Sequence, residues 1–165
     1  MKVLFVYRGY GKNYVNSVID FQRMSLTKAG VEVETFTIKG GGIRNYMRTI
    51  SVLRKYEKQH PVDVIHAHYS FSGFLAALAT RKPVLCSLMG SDVLQLGTFL
   101  KIVTWFFYKF MWKGAIVKNK DMQKWFPGSQ VIPNGVDFSN FRPVPREEAL
   151  KKESVRHQHR SHPFH

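Results

Sequence analysis

An α/β fold is what this chain predicts: a three-layer parallel sheet flanked by helices. Short apolar runs alternate with stretches of helical periodicity along most of the sequence, the pattern of parallel strands joined by right-handed crossovers. The first such run is bounded in the manner of a buried strand. At 165 residues with 44% hydrophobic and 14% aromatic side chains, the chain can bury a core as one domain of ordinary size.

Residues 2–7 form that first run, closed by Arg8-Gly9. Over 14–29, Val15, Val18, Phe21, Met24 and Leu26 fall near helical spacing, and Gly30 suits the stop. Over 31–38, Val31, Val33 and Thr35 alternate with Glu32 and Glu34, a strand with one more polar face. After Gly40-Gly41-Gly42 comes a basic amphipathic helix over 43–59. A strand over 62–67, a helix over 71–80 and a strand over 83–88 follow. The last elements are a helix over 98–112, a brief strand over 115–117 and a strand over 130–132. Pro133 then ends pairing, Asn134-Gly135 tolerates positive φ, and Pro143 and Pro145 stiffen an exit segment. The domain is therefore expected over 1–145, with 146–165 as linker and a disordered or out-of-frame tail. Four of the seven histidines fall in that tail, which reads as a metal-binding tract, a natural disordered tail, or a reading frame lost near residue 153.

The net charge of +14 calls for an anionic partner, and only +3 of it lies in the last fifteen residues. The single Cys86 excludes an intrachain disulfide, fits a reducing compartment, and lies in an apolar run as a buried thiol would. The apolar run after Lys2 is too short for a secretory signal, and no stretch is apolar enough to span a bilayer.

In open parallel sheets, ligands sit outside the carboxyl ends of the strands. That rule gathers residues 8–13, 68–70 and 89–92, with 134–137 as a fourth segment. Arg8-Gly9-Tyr10-Gly11-Lys12-Asn13 precedes a helix and offers N–H groups to an anion, or is simply a tight turn. It is no dinucleotide fingerprint, because Tyr14 stands where the third glycine belongs, and no Ser or Thr follows Lys12 as a P-loop requires. His66 and His68 share one face of a strand, but no third ligand at sensible spacing makes a metal site. His68, nearer the strand end, is the candidate for a substrate hydrogen bond, and His66 for a core histidine. Asp92 could orient a hydroxyl, act as a base, or cap a helix. Lys101, Trp105, Tyr108 and Trp112 share a helical stripe suited to a membrane interface, with the opposite side packed on the sheet.

Three stretches, in order, resemble the retaining glycosyltransferases of family 4, which have the two-domain GT-B fold. Asp63-Val64-Ile65-His66-Ala67-His68 is similar to their D-(V/I)-(V/I)-H-x-H strand, and Leu88-Met89-Gly90-Ser91-Asp92-Val93 to their H-G-x-D loop. Val131-Ile132-Pro133-Asn134-Gly135-Val136-Asp137 with Phe141-Arg142-Pro143 is similar to their interdomain hinge. The resemblance covers 1–145 and implies a Rossmann-like, acceptor-side N-terminal half, without the C-terminal donor domain. It implies substrate contacts at Arg8, Gly9, Gly11, Lys12, His68, Gly90, Ser91 and Asp92, and a hinge at Asn134, Gly135, Val136 and Asp137. Met89 departs from the family, many of whose members have histidine there, so no catalytic residue is assigned.

The resemblance further implies a metal-independent hexosyltransferase that moves a sugar from a nucleotide-sugar to a lipid-linked or cell-surface saccharide. The nucleotide-sugar belongs to the intact enzyme. This chain alone is expected to bind no cofactor and to be inactive, unless a separately encoded donor domain docks on it. The expected partners are the saccharide acceptor and an anionic membrane surface, with the protein cytoplasmic and peripheral at the inner face. Nucleic acid is not expected, since no recognised module is present and the basic residues are spread over helices. The alternative is a non-catalytic basic module that binds membrane or acidic glycan.

Overall fold

The computed structural model describes residues 1–9, 17–94, 97–136, 143–147 and 150, and of Asp92 and Leu94 the backbone only. Two compact units divide the chain, Met1–Gly135 and Val136–His165. The elements named here belong to the first. In chain order they are β1 (Lys2–Arg8), α1 (Ser17–Lys28), β2 (Glu32–Ile38), α2 (Ile43–Gln59), β3 (Val64–His68) and α3 (Ser70–Ala79). Then come β4 (Val84–Ser87), α4 (Ser91–Leu94), α5 (Thr98–Phe110), β5 (Gly114–Val117), α6 (Lys120–Trp125) and β6 (Gln130–Val131).

The six strands pair in parallel in the order β2-β1-β3-β4-β5-β6. The chain lays β2 on one side of β1 and then crosses to lay β3 on the other, so its direction of growth reverses there. Strand pleating sorts the core into two layers. Leu4 and Val6 of β1 join Ile65, Ala67, Cys86 and Val117 on one face, packed on Leu53 of α2, Leu75 and Ala76 of α3, Phe107 of α5 and Met122 of α6. Val3 and Phe5 point to the other face and pack on Ile19 of α1. Helices therefore cover both faces, and the Rossmann-like three-layer architecture stands.

The polar face expected of β2 is used at the amino edge of the sheet. Lys2 Nζ contacts Glu32 at 3.2 Å and Glu34 at 2.8 Å. The bond from Lys2 holds the Glu34 carboxyl below its usual range.

Two boundaries and two short helices differ from expectation. The β3 ladder extends to His68, which pairs in register with Ser87, so this histidine belongs to the strand and not to the loop after it. Helix α5 stops at Phe110, where the N–H groups of Met111 and Trp112 both donate to Phe107 O, at 2.9 and 2.8 Å. The short helices α4 and α6 had no counterpart in the sequence pattern. α6 owes its start to Asn119, whose side-chain oxygen accepts the Met122 N–H at 2.8 Å.

Candidate functional site

In open parallel sheets a switch in growth direction is where a ligand site is expected, which here is the carboxyl edge of β1 and β3. Arg8 and Gly9 leave β1 there. Gly9 N–H donates to Ile38 O at 3.1 Å and so prolongs the pairing with β2. A Cβ on Gly9 would lie 2.5 Å from Thr37 Cγ2, so packing alone requires glycine here, whatever binds. The Arg8 guanidinium extends over Gly41, with Nη2 2.9 Å from where a Cβ would be. The glycine run after β2 is thus a seat for arginine as well as a flexible link.

On β3, His66 and His68 project from the same face with rings stacked at 4.5 Å, and the Phe5 ring meets both edge-on. His66 Nε2 shares a 2.8 Å hydrogen bond with Ser87 Oγ, as a satisfied core histidine should. His68 is 2% exposed, yet its Nε2 has no hydrogen-bond partner among the described residues. Buried polar atoms nearly always have one, so this nitrogen stands out. Burial lowers the His66 pKa to about 4, with Lys118 adding to the effect. Burial, then His66 and Lys118, lower that of His68 to about 2. Both rings are neutral at physiological pH.

Tyr69 follows at φ +76°, ψ 147°, and is the one non-glycine with positive φ among the described residues. Such a backbone costs about 1–3 kcal/mol for a residue with a Cβ. It is held by Tyr69 N–H donating to Ser87 O at 2.9 Å and by Tyr69 O accepting from Gly73 N at 3.0 Å. No sequence signal marks the position, since tyrosine is not a turn residue.

The third contributor is the turn after β4. Leu88 N–H donates to Ile116 O at 2.8 Å, and Gly90 then adopts φ +112°, which its lack of a Cβ permits. Exposed Ser91 opens α4. Lys118, just beyond β5, places Nζ 3.5 Å from Ile132 O and near enough to the imidazoles to disfavour their protonation, a role the sequence did not suggest.

The sheet thus gathers Arg8, Gly9, His68, Gly90 and Ser91 at the carboxyl edge of three adjacent strands. Gly11, Lys12 and Asp137 lie outside the described residues, as does the Asp92 side chain. Asn134, Gly135 and Val136 belong to no helix or strand, and the two units divide between Gly135 and Val136. A Cβ on Gly135 would come 3.2 Å from the Phe21 ring of α1.

The stripe read on the 98–112 helix needs correction. Trp112 is buried, because the helix has ended and the chain has turned inward; its indole N–H donates to Gly73 O at 3.1 Å and its ring stacks on Phe74. Tyr108 also turns to the protein, with its hydroxyl donating to Pro127 O at 2.6 Å. Trp105 is exposed, and Lys101 sits 5.4 Å over the Trp125 ring.

The fold is a parallel α/β domain whose strand order switches direction at β1. Residues 3–140 match Glycosyltransferase Family 4. The chain belongs to that family. Its fold is similar to that of Anabaena HepE, solved in complex with UDP and glucose, at 17% identity and TM-score 0.59 over 94% of this chain and 50% of that one. It is also similar to sucrose-phosphate synthase from Thermosynechococcus elongatus, at 14% identity and TM-score 0.67 over 92% of this chain and 53% of that one. The chain spans about half the length of these structures. Among curated proteins, none matches it significantly.

Proposed function

We propose that this chain is the acceptor-binding half of a glycosyltransferase that moves a sugar from a nucleotide-sugar to a saccharide on a lipid or at the cell surface. The domain extends over 1–145, the hinge over 134–137 leads toward a donor-binding domain, and this half alone does not turn over. It works from the cytoplasmic side, at the membrane that carries its acceptor.

His68 is the observation that carries the reading. Its ring nitrogen is buried, has no hydrogen-bond partner among the described residues, and belongs to the last residue of β3 at the carboxyl edge of the sheet. With its pKa lowered to about 2, the imidazole cannot pair as a cation with phosphate in the cell. A neutral imidazole nitrogen suits a sugar hydroxyl, which can donate to it or accept from it. Arg8, held over Gly41, supplies the positive charge that phosphate needs. With Met89 unable to move a proton, the protein's part is to position the acceptor hydroxyl through His68 and the Gly90–Ser91 turn.

Histidine-selective NMR on the 165-residue chain tests this. Lipid-linked saccharides should shift the His68 ring nitrogens, while nucleotide-sugar alone should leave them in place. A shift with nucleotide-sugar and none with any saccharide would overturn the assignment.

A further inference from the structure

We infer that the outer face of α2, α3 and α5 docks on an anionic lipid bilayer, with apolar side chains entering the interface and a basic rim meeting the headgroups. This names the surface for the membrane placement proposed above; the NMR shift of His68 needs no vesicle, so the two readings fail separately.

The three helices lie side by side over the same face of the sheet. Their outer side carries large apolar groups that a water-facing surface rarely groups together. Ile43 is 84% exposed, Phe99 75% and Phe110 64%, with Met47, Ile102 and Phe106 also at least half exposed. Ile43 and Met47 line a groove shared with α3, and Phe99, Ile102, Phe106 and Phe110 recur at three- and four-residue steps along α5. Ring contacts run unbroken from Tyr46 on α2 through Phe71 and Phe74 on α3 to Phe107, Phe106 and Phe110 on α5, each step 4.6–6.2 Å. Between α2 and α3 the patch deepens into an apolar groove of about 360 Å³ between Met47 and Ile50 on one wall and Phe71 and Leu78 on the other. Arg54 ties the helices together at the far end, donating to Leu78 O at 3.0 Å and Ala79 O at 3.1 Å.

Charge decides the occupant. Residues 39–59 hold six basic side chains against Glu57 alone, 98–113 hold three lysines and no acid, and α3 has no charge. Exposed Arg44 and Arg48 follow Ile43 and Met47 by one position, placing cations beside the apolar residues. A second copy of this chain would bring two such rims together and be repelled. A phosphate backbone would satisfy the cations but leave the rings in water. An anionic bilayer satisfies both at once. Among the described residues no helix is long and apolar enough to cross a membrane, so the face lies on the bilayer. This set replaces the stripe that included Tyr108 and Trp112.

The test is sedimentation of the full chain with phosphatidylcholine vesicles, with and without phosphatidylglycerol, at matched salt. The chain should bind the mixed vesicles and not the neutral ones. Arg44→Gln with Arg48→Gln should lower partitioning about 30-fold, the effect of removing two cations close to an anionic surface. Phe106→Glu with Phe110→Glu should abolish it, while Met24→Glu, on α1 across the sheet, should leave it unchanged. In a Trp125→Phe background, mixed vesicles should also shift Trp105 emission to the blue. Failure of the parent chain to bind mixed vesicles would overturn the inference. So would full binding by the double Phe variant, or a dimer in solution that this variant dissociates without any vesicle binding.

Discussion

The stacked histidines make the stability of this domain depend steeply on acid. In an unfolded chain each titrates near 6.5, whereas the folded values are about 4 for His66 and about 2 for His68. A folded pKa below the unfolded one means that the unfolded chain takes up the proton first. The contribution is complete above about pH 6.5 and is lost as pH falls, for His66 down to about 4 and for His68 further still. Each histidine costs about 1.4 kcal/mol per pH unit in that range, so moving from about pH 7.5 to about pH 5 removes about 4 kcal/mol. That is a large share of the roughly 5–15 kcal/mol typical of a domain. Lys118 adds to the lowering of both rings, and the lowered Glu34 titrates below the window, so its contribution does not intrude. Urea midpoints at successive pH values measure the slope, and His68→Gln should halve it to about 2 kcal/mol over the same range. A parent chain that loses less than about 1.5 kcal/mol, or a His68→Gln variant with the full parental slope, would refute the claim that both rings are buried neutral.

Gly73→Ala should destabilise the fold by about 1–3 kcal/mol in urea, since its Cβ would meet Cys86 Sγ and Trp112 Cζ2, each at 2.7 Å. A neutral result would mean that α3 can lift from β4. Tyr69→Gly should raise the unfolding free energy measured in urea by about 1 kcal/mol as its positive φ ceases to cost anything. If it destabilises instead, the tyrosine ring carries more packing than its exposed position suggests. Asn119→Ala should cost about 1 kcal/mol by removing the oxygen that caps α6, with thermal unfolding as the readout.

The layered fold was legible because its strands are short apolar runs and its longer helices have periodicity; both signals are local. The histidine pair was legible for the same reason, since residues two apart on a strand must share a face. The burial of Trp112 was not. Helical spacing extended the stripe past Phe110, whereas the chain had already turned to offer its indole to a carbonyl 39 residues away. Tyr69, Lys118 and the seat under Arg8 escaped for a related reason: each depends on a backbone or neighbour supplied by another strand. α4 and α6, of 4 and 6 residues, are too short to show a period.

Parallel topology links the carboxyl edge to the apolar face. Every crossover helix begins beside the carboxyl end of the strand before it, so α2 and α3 start at the edge proposed to bind the acceptor. His68 faces the Phe5 layer and Phe71 the outer patch, and three residues reach at most about 11 Å. The two backbones are therefore close, while the imidazole and the Phe71 ring leave opposite faces of the sheet. On the proposed reading, a lipid-borne acceptor would keep its tail at the outer patch and bring its hydroxyl to the strand ends. The two contacts remain separable because they draw on different chemistry. Removing Arg44 and Arg48 should weaken the hold on the membrane and leave the His68 resonance untouched, and His68→Gln should leave vesicle binding unchanged. If either variant behaved otherwise, one surface would be serving both purposes, and the division between edge and face would fall.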